Sequence, residues 1–176
     1  MGAPVKYVTT TQRQCRPTVH GMARLRAPTR ATATVTHAET TKASPATVWT
    51  LYSDVDQWRR WDGGVTTVTL HGPFATGTRG NVTLPNGRRG RLRLLDVREG
   101  AAFTDVVRLP FLTVRTRHNL DATHDGTTIT HTVTLSGGLA RLFPRLMTIP
   151  VRSALPASVA QLAFLAAHDP VSRPPT

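Results

Sequence analysis

All three tryptophans of this 176-residue chain, Trp49, Trp58 and Trp61, fall within thirteen residues, and the segment around them carries its own start and stop signals. Ser44 suits a helix N-cap, and Pro45 suits the first turn, where a missing N–H costs nothing. Val48, Leu51, Tyr52 and Val55 then recur at i, i+3, i+4 and i+7, one apolar stripe. Asp54 followed by Gln57 predicts a second cap that opens a short helix holding Trp58 and Trp61, and Gly63-Gly64 closes it. Two short helices rich in large aromatics, joined at a capped break, are expected to form a lid over a site.

From Val65 to Ser136 the hydrophobic period becomes two. Strands are expected over 65–71, 77–84, 88–98, 101–109, 112–123 and 127–136, after a first strand over 33–42. The separators are turn residues: Gly72-Pro73, Pro85-Asn86-Gly87, Glu99-Gly100, Pro110-Phe111 and Asp125-Gly126. Connections this short make an antiparallel meander. Beyond Gly137-Gly138 the chain is apolar and helical to about Ala167, and Pro144, Pro150 and Pro156 are expected to interrupt it, each removing a donor and crowding the preceding turn. Pro156 is expected to start the final helix, 157–167.

Length allows one domain, 32–168, with enough core to bury about two-thirds of its unfolded surface. The net charge is +12, and 20 of the 22 basic residues are arginine, a bias that a GC-rich genome also produces. Residues 1–31 hold six basic residues and no acidic one, so subtracting them takes +12 to +6. That segment has neither hydrophobic periodicity nor the apolar stretch of a secretory signal, and is expected to be a basic, disordered tail. Residues 169–176, with three prolines, are expected to be a second tail. The single cysteine, Cys15, excludes an internal disulfide and favours a reducing, cytoplasmic setting. No uninterrupted apolar run approaches the roughly 20 residues of a membrane span, so a soluble protein is expected.

The order strand, two short helices, six antiparallel strands, long C-terminal helix resembles the START-like (SRPBCC) helix-grip superfamily, and within it the polyketide cyclase/dehydrase and lipid-transport group. The residues that carry the resemblance are Ser44-Pro45-Ala46-x-Val48-Trp49, Asp54-x-x-x-Trp58-x-x-Trp61 and Leu155-Pro156-x-Ser158-x-x-x-Leu162, within about 33–168. It implies an α+β fold: a curved antiparallel sheet of about seven strands wrapped round the long helix, with a cavity between them for an apolar or amphipathic ligand. The superfamily holds transporters, sensors, cyclases and hydrolases, so the resemblance leaves the chemistry open.

Strand parity supplies candidates. The apolar faces are Phe103, Asp105, Val107 and Leu109; Leu112, Val114, Thr116, His118 and Leu120; and Ile129, His131, Val133 and Leu135. Each contains one ionisable residue. With Asp125-Gly126 as a two-residue loop, His118 faces Val133 and His131 lies diagonally across; with Pro110-Phe111 as another, Phe103 faces His118 and Asp105 is its diagonal neighbour. Asp105, His118 and His131 are therefore expected to form one polar patch in a wall whose other members, Phe103, Val107, Val114, Thr116, Leu120, Ile129, Val133 and Leu135, would contact a small hydrophobic ligand. The patch suits a polar anchor for that ligand, or general acid–base catalysis of the kind a polyketide aromatase/cyclase needs. The bland reading is three polar residues satisfying one another in a core. The spacings match no zinc motif, and no metal or cofactor is expected.

The opposite faces of the strands are basic. Arg89, Arg91 and Arg93 alternate with Leu92 and Leu94, Arg108, Arg115 and Arg117 lie off the apolar faces, and a Glu99-Gly100 turn sets Arg91 opposite Arg108. That face would suit an adaptor touching anionic surfaces; nucleic acid is not favoured, because no aromatics interleave with the arginines. A solvated outer face is the simpler expectation. Agreement between the 77–84 and 88–98 strands requires a three-residue loop, 85–87, which keeps Leu92 and Leu94 inward.

Overall fold

A computed structural model describes residues 33–168; both expected tails lie outside the described residues. Seven antiparallel strands form one sheet: β1 (Ala33–Thr41), β2 (Thr67–Leu70), β3 (Arg79–Thr83), β4 (Arg89–Arg98), β5 (Ala102–Leu109), β6 (Leu112–Thr123) and β7 (Gly126–Ser136), in the order β1-β7-β6-β5-β4-β3-β2. Between β1 and β2 lie α1 (Pro45–Ser53), a 3-10 turn (Val55–Gln57) and α2 (Trp58–Trp61). After β7 come α3 (Gly138–Leu142) and the 25-residue α4 (Pro144–His168). The element order, the curved sheet and the long closing helix are those expected from the sequence.

Local chemistry explains the helical joints. The Ser44 hydroxyl accepts from Thr47 N–H at 3.2 Å with Pro45 in the first turn, and Asp54 accepts from Asp56 N–H at 3.2 Å where α1 gives way to the 3-10 turn. Trp58 Nε1 donates to the Tyr52 carbonyl at 2.8 Å, which ties α2 onto the end of α1.

Two expectations are corrected. Pro144 does break the helix, at Phe143, because a residue before proline is pushed out of the α region (φ −130°, ψ 57°). Pro150 and Pro156 do not interrupt it: α4 runs through both, so the final helix starts at Pro144 and not at 157. The carbonyls left without their usual donors belong to Leu146 and Arg152, both exposed residues. Meanwhile Leu155, Val159, Leu162, Ala163 and Leu165 are buried against the sheet and offset the roughly 3 kcal/mol a proline costs in a helix.

The second correction concerns the β6–β7 hairpin. Its loop is His124-Asp125, Thr123 pairs with Gly126, and His118 faces His131 directly instead of Val133. The reason lies in Gly126, which stands at φ +142° with its Cα against β1: a Cβ there would meet the Thr41 carbonyl oxygen at 2.0 Å. Gly126 is thus a strand residue forced by close approach, not a turn residue. The slip is two places, so each side chain keeps its expected face. The other registers hold: Phe103 faces His118, Arg91 faces Arg108, and the three-residue 85–87 loop pairs Thr83 with Arg89.

The two glycines separate steric from conformational cost. Gly87, at φ +77° with nothing within 4 Å of a built Cβ, is expected to lose roughly 1–2 kcal/mol on mutation to alanine. Gly126→Ala must also displace the β1 backbone and is expected to lose about 3 kcal/mol or more. Urea unfolding of the two variants checks this; equal losses would contradict the close approach of β7 to β1.

Candidate functional site

The inner face of the sheet presents its side chains in rows. Phe103, His118, His131 and His37 are cross-strand partners in one row, and Asp105, Thr116, Val133 and Val35 in the next. The rows bring the three expected polar residues together more tightly than diagonal packing would. Asp105 Oδ2 lies 2.8 Å from His118 Nε2, and His118 Nδ1 lies 3.1 Å from His131 Nε2. His131 Nε2 also lies 2.7 Å from Tyr52 Oη. All four residues are at most 5% exposed.

Rings enclose this chain of hydrogen bonds. Phe103 stacks on His118 at 4.1 Å with planes 5° apart, and Tyr52 packs edge-on against Phe103 at 5.0 Å. Trp61 lies edge-on to both histidines, at 6.5 Å from His118 and 5.9 Å from His131. The lid expected from the tryptophan segment therefore sits directly on the polar residues. Of the other positions expected to face a ligand, Phe103, Leu120, Ile129, Val133 and Leu135 are buried, and Val107, Val114 and Thr116 are half-buried.

Removal from water dominates the electrostatics. Burial pushes the Asp105 carboxyl up to about 7 and the His118 imidazole down to about 3. His131 lies well below its ordinary value, through burial first and then through its neighbours His118 and His37. Burial raises the Tyr52 phenol as well. Every group is neutral if protons run one way along the chain. Protonated Asp105 then donates to His118 Nε2, while His118 Nδ1 and Tyr52 Oη share the single lone pair of His131 Nε2. Moving each proton one bond along would leave a carboxylate on Asp105 and a charged His131, the two forms that burial disfavours. The contacts make a hydrogen-bonded relay from Asp105 to Tyr52.

Parity missed four contributors. Tyr52 reads as one apolar residue of a helical stripe; its signal is the phenolic oxygen, which needs a partner once the ring is buried. Trp61 Nε1 is buried and has no hydrogen-bond partner. Asp62 accepts from Gly64 N–H at 2.9 Å and from the Ser158 hydroxyl at 3.4 Å; burial raises its carboxyl, and the nearby Asp105 adds to that. His37, directly opposite His131, holds Glu39 at 2.8 Å, and the alternation of Val35, His37 and Glu39 with Thr36, Ala38 and Thr40 was the available signal.

Two concavities are open to solvent. One, of about 490 Å³, is lined by Asp96, Val97, Arg98, Ala102, Phe103, Thr104 and Arg117, and so reaches the residue stacked on His118. The other, of about 320 Å³, lies on the outer face among Arg79, Arg91, Arg93 and Arg108. Among the described residues no carboxylate pairs with these four arginines. No group of three or more metal-ligating side chains occurs among the described residues.

Residues 32–166 match the family model described as polyketide cyclase/dehydrase and lipid transport. The chain belongs to that family. Solved structures agree on the fold. The crystal structure of Ara h 8.0201 is 15% identical, with a TM-score of 0.60 over 76% of this chain and 97% of that one. A Thermobifida fusca protein solved by NMR is 21% identical, with a TM-score of 0.60 over 76% and 92%. DynU16, a putative protein of the dynemicin biosynthetic locus, is 17% identical, with a TM-score of 0.62 over 80% of this chain and 49% of that one. No curated protein matches by sequence. At these identities the neighbours establish the helix-grip fold and nothing finer.

The buried carboxyl makes a pH prediction. Between about pH 4 and 7 the unfolded chain ionises Asp105 while the folded chain keeps its proton, so this residue makes stability fall as pH rises. The depressed histidines act the other way, losing stability as pH drops below about 6.5. Asp105→Asn removes the first effect and leaves the second. From pH 4 to pH 8 the variant is therefore expected to gain on the order of 4 kcal/mol relative to the unsubstituted protein. Urea unfolding across that range measures it, and a constant difference would refute the buried neutral carboxyl.

Proposed function

We propose that the protein binds a small, predominantly apolar molecule, polyketide- or lipid-like, over the inner face of the sheet, and anchors one oxygen of it at the relay. The observation that carries this reading is the Trp61 indole N–H: a buried donor without a partner, on a ring that lies against His118 and His131. Leaving such a donor unmade costs about 1–3 kcal/mol, and a ligand carbonyl or hydroxyl would recover it. Phe103, Leu120, Ile129, Val133 and Leu135 supply apolar surface around that point, with Val107, Val114 and Thr116 less enclosed beside them. Because rings of α1 and α2 now cover the polar residues, ligand entry requires those helices to move as a lid.

A second reading is catalytic. The Asp105–His118–His131–Tyr52 chain holds a carboxyl whose pKa of about 7 suits proton exchange near neutrality, at the end of a relay that reaches a tyrosine hydroxyl. Cyclisation or dehydration of a poly-ketone would use a proton delivered at His131 or Tyr52. The ligand reading ranks first because the four relay residues are bonded to one another and line neither solvent-open concavity.

Native mass spectrometry of the purified chain, together with extraction and identification of any co-purifying molecule, tests the first reading. Tryptophan fluorescence titration with a hydroxylated polycyclic aromatic probe is expected to saturate. Trp61→Phe, which keeps the ring and removes the donor, is expected to weaken that probe by about tenfold. Neither a bound molecule nor a saturable titration would overturn the proposal. For the second reading, His118→Ala and His131→Ala must change the product distribution from a poly-ketone substrate while ligand still binds.

A further inference from the structure

The alternating turns of a meander give this sheet two unlike ends. The β4–β5 and β6–β7 turns lie at one end, near the exposed Asp96, Glu99, Asp121 and Asp125. The β3–β4 and β5–β6 turns lie at the other, together with α3 and the first half of α4. From Gly126 to His168 the chain contains no acidic residue.

That second end also carries five of the six large hydrophobic side chains that stand exposed among the described residues. Phe111 is 78% exposed, Leu142 72%, Phe143 52%, Leu146 59% and Ile149 62%. Four of them fall within residues 142–149, across α3 and the start of α4. Phe111 forms the tip of the β5–β6 turn, and its carbonyl accepts from Leu139 N–H at 3.1 Å, which fastens the turn to α3. Phe111 also stands at φ +59°, a backbone conformation unfavourable for a bulky side chain, so the fold holds an apolar ring outward at a conformational cost. Arg141, Arg145 and Arg152 are interleaved with these residues and exposed, and Arg145, Ile149 and Arg152 share one side of α4 at i, i+4 and i+7.

We propose that this end of the molecule docks on an anionic lipid bilayer, with Phe111, Phe143, Leu146 and Ile149 entering the interface and Arg141, Arg145 and Arg152 reaching the headgroups. Large apolar side chains flanked by arginine are the composition of interfacial segments, because the guanidinium stays with the headgroups while its stem covers apolar surface. The charges argue against the other occupants. A second copy docked through the same surface would bring six of these arginines together with no carboxylate beside them, and residues 1–31 are themselves basic and acid-free. Among the described residues α4 is the helix that by length and composition could cross a membrane, but its second half is the buried grip helix of the fold, which leaves the first half to lie in the interface. Docking is independent of the buried relay, and it is measured without ligand.

The experiment is co-sedimentation of the full chain with vesicles of phosphatidylcholine alone and of phosphatidylcholine and phosphatidylglycerol in equal parts. Binding is expected on the mixed vesicles, weakening with salt. Phe111→Ser with Ile149→Ser, both at exposed positions, is expected to weaken it by at least about tenfold with an unchanged circular dichroism spectrum. Arg145→Gln with Arg152→Gln is expected to weaken binding and flatten its salt dependence. Three results would overturn the proposal. One is no binding to either vesicle. Another is binding that survives Phe111→Ser with Ile149→Ser but is lost in Arg91→Gln with Arg93→Gln, which would assign the contact to the outer sheet face. The last is a concentration-dependent dimer that the Phe111→Ser and Ile149→Ser substitutions abolish, which would make the patch a self-interface.

Discussion

A carboxyl, two imidazoles and a phenol share the driest part of this protein, and the arrangement of the rest follows from keeping them satisfied there. Each would cost several kcal/mol if buried alone and charged. The chain of contacts at 2.8, 3.1 and 2.7 Å lets all four stay neutral, with His118 and Tyr52 sharing one acceptor nitrogen on His131. That requires His118 and His131 to be direct cross-strand partners, which in turn requires the tight β6–β7 loop and a glycine where β7 passes the end of β1. It also requires α1 to lie across the sheet so that Tyr52 reaches His131. Register, loop chemistry and helix placement all converge on the same few atoms.

The parts of this site visible in the sequence were those governed by a period. Alternation along β5, β6 and β7 put Asp105, His118 and His131 on one face, and parity survives a slip of two residues, so the face was correct although the partner of His118 was not. The loop residue Gly126 was misread because the same residue type serves turns and close backbone approaches, and only the position of Thr41 decides between them. Tyr52, Trp61 and Asp62 were invisible to parity because they arrive from helices: which strand position a helix covers depends on how the sheet curves. Pro150 and Pro156 failed as helix breakers for a related reason, since their cost is local while the burial that offsets it belongs to the tertiary fold.

The tryptophan segment divides its labour in a way composition could not show. Trp58 commits its N–H to the Tyr52 carbonyl and so fixes the joint between α1 and α2. Trp49 packs edge-on against Phe74 and Phe103 at 5.6 and 6.1 Å and extends the apolar floor. Trp61 alone combines complete burial with an unused donor. Removing a partner from a buried donor is destabilising, so a fold that tolerates one holds free energy that an incoming acceptor can release.

The relay and the exposed end are joined by continuous chain through α3 and α4. α3 and the first half of α4 lead directly from the outward-facing Phe111 turn to the helix whose Ser158 hydroxyl meets Asp62, the residue after Trp61. Val107, Val114, Met147 and Val151 are half-buried and pack against the same core that holds Trp61, so the apolar interior extends from the first half of α4 to the lid.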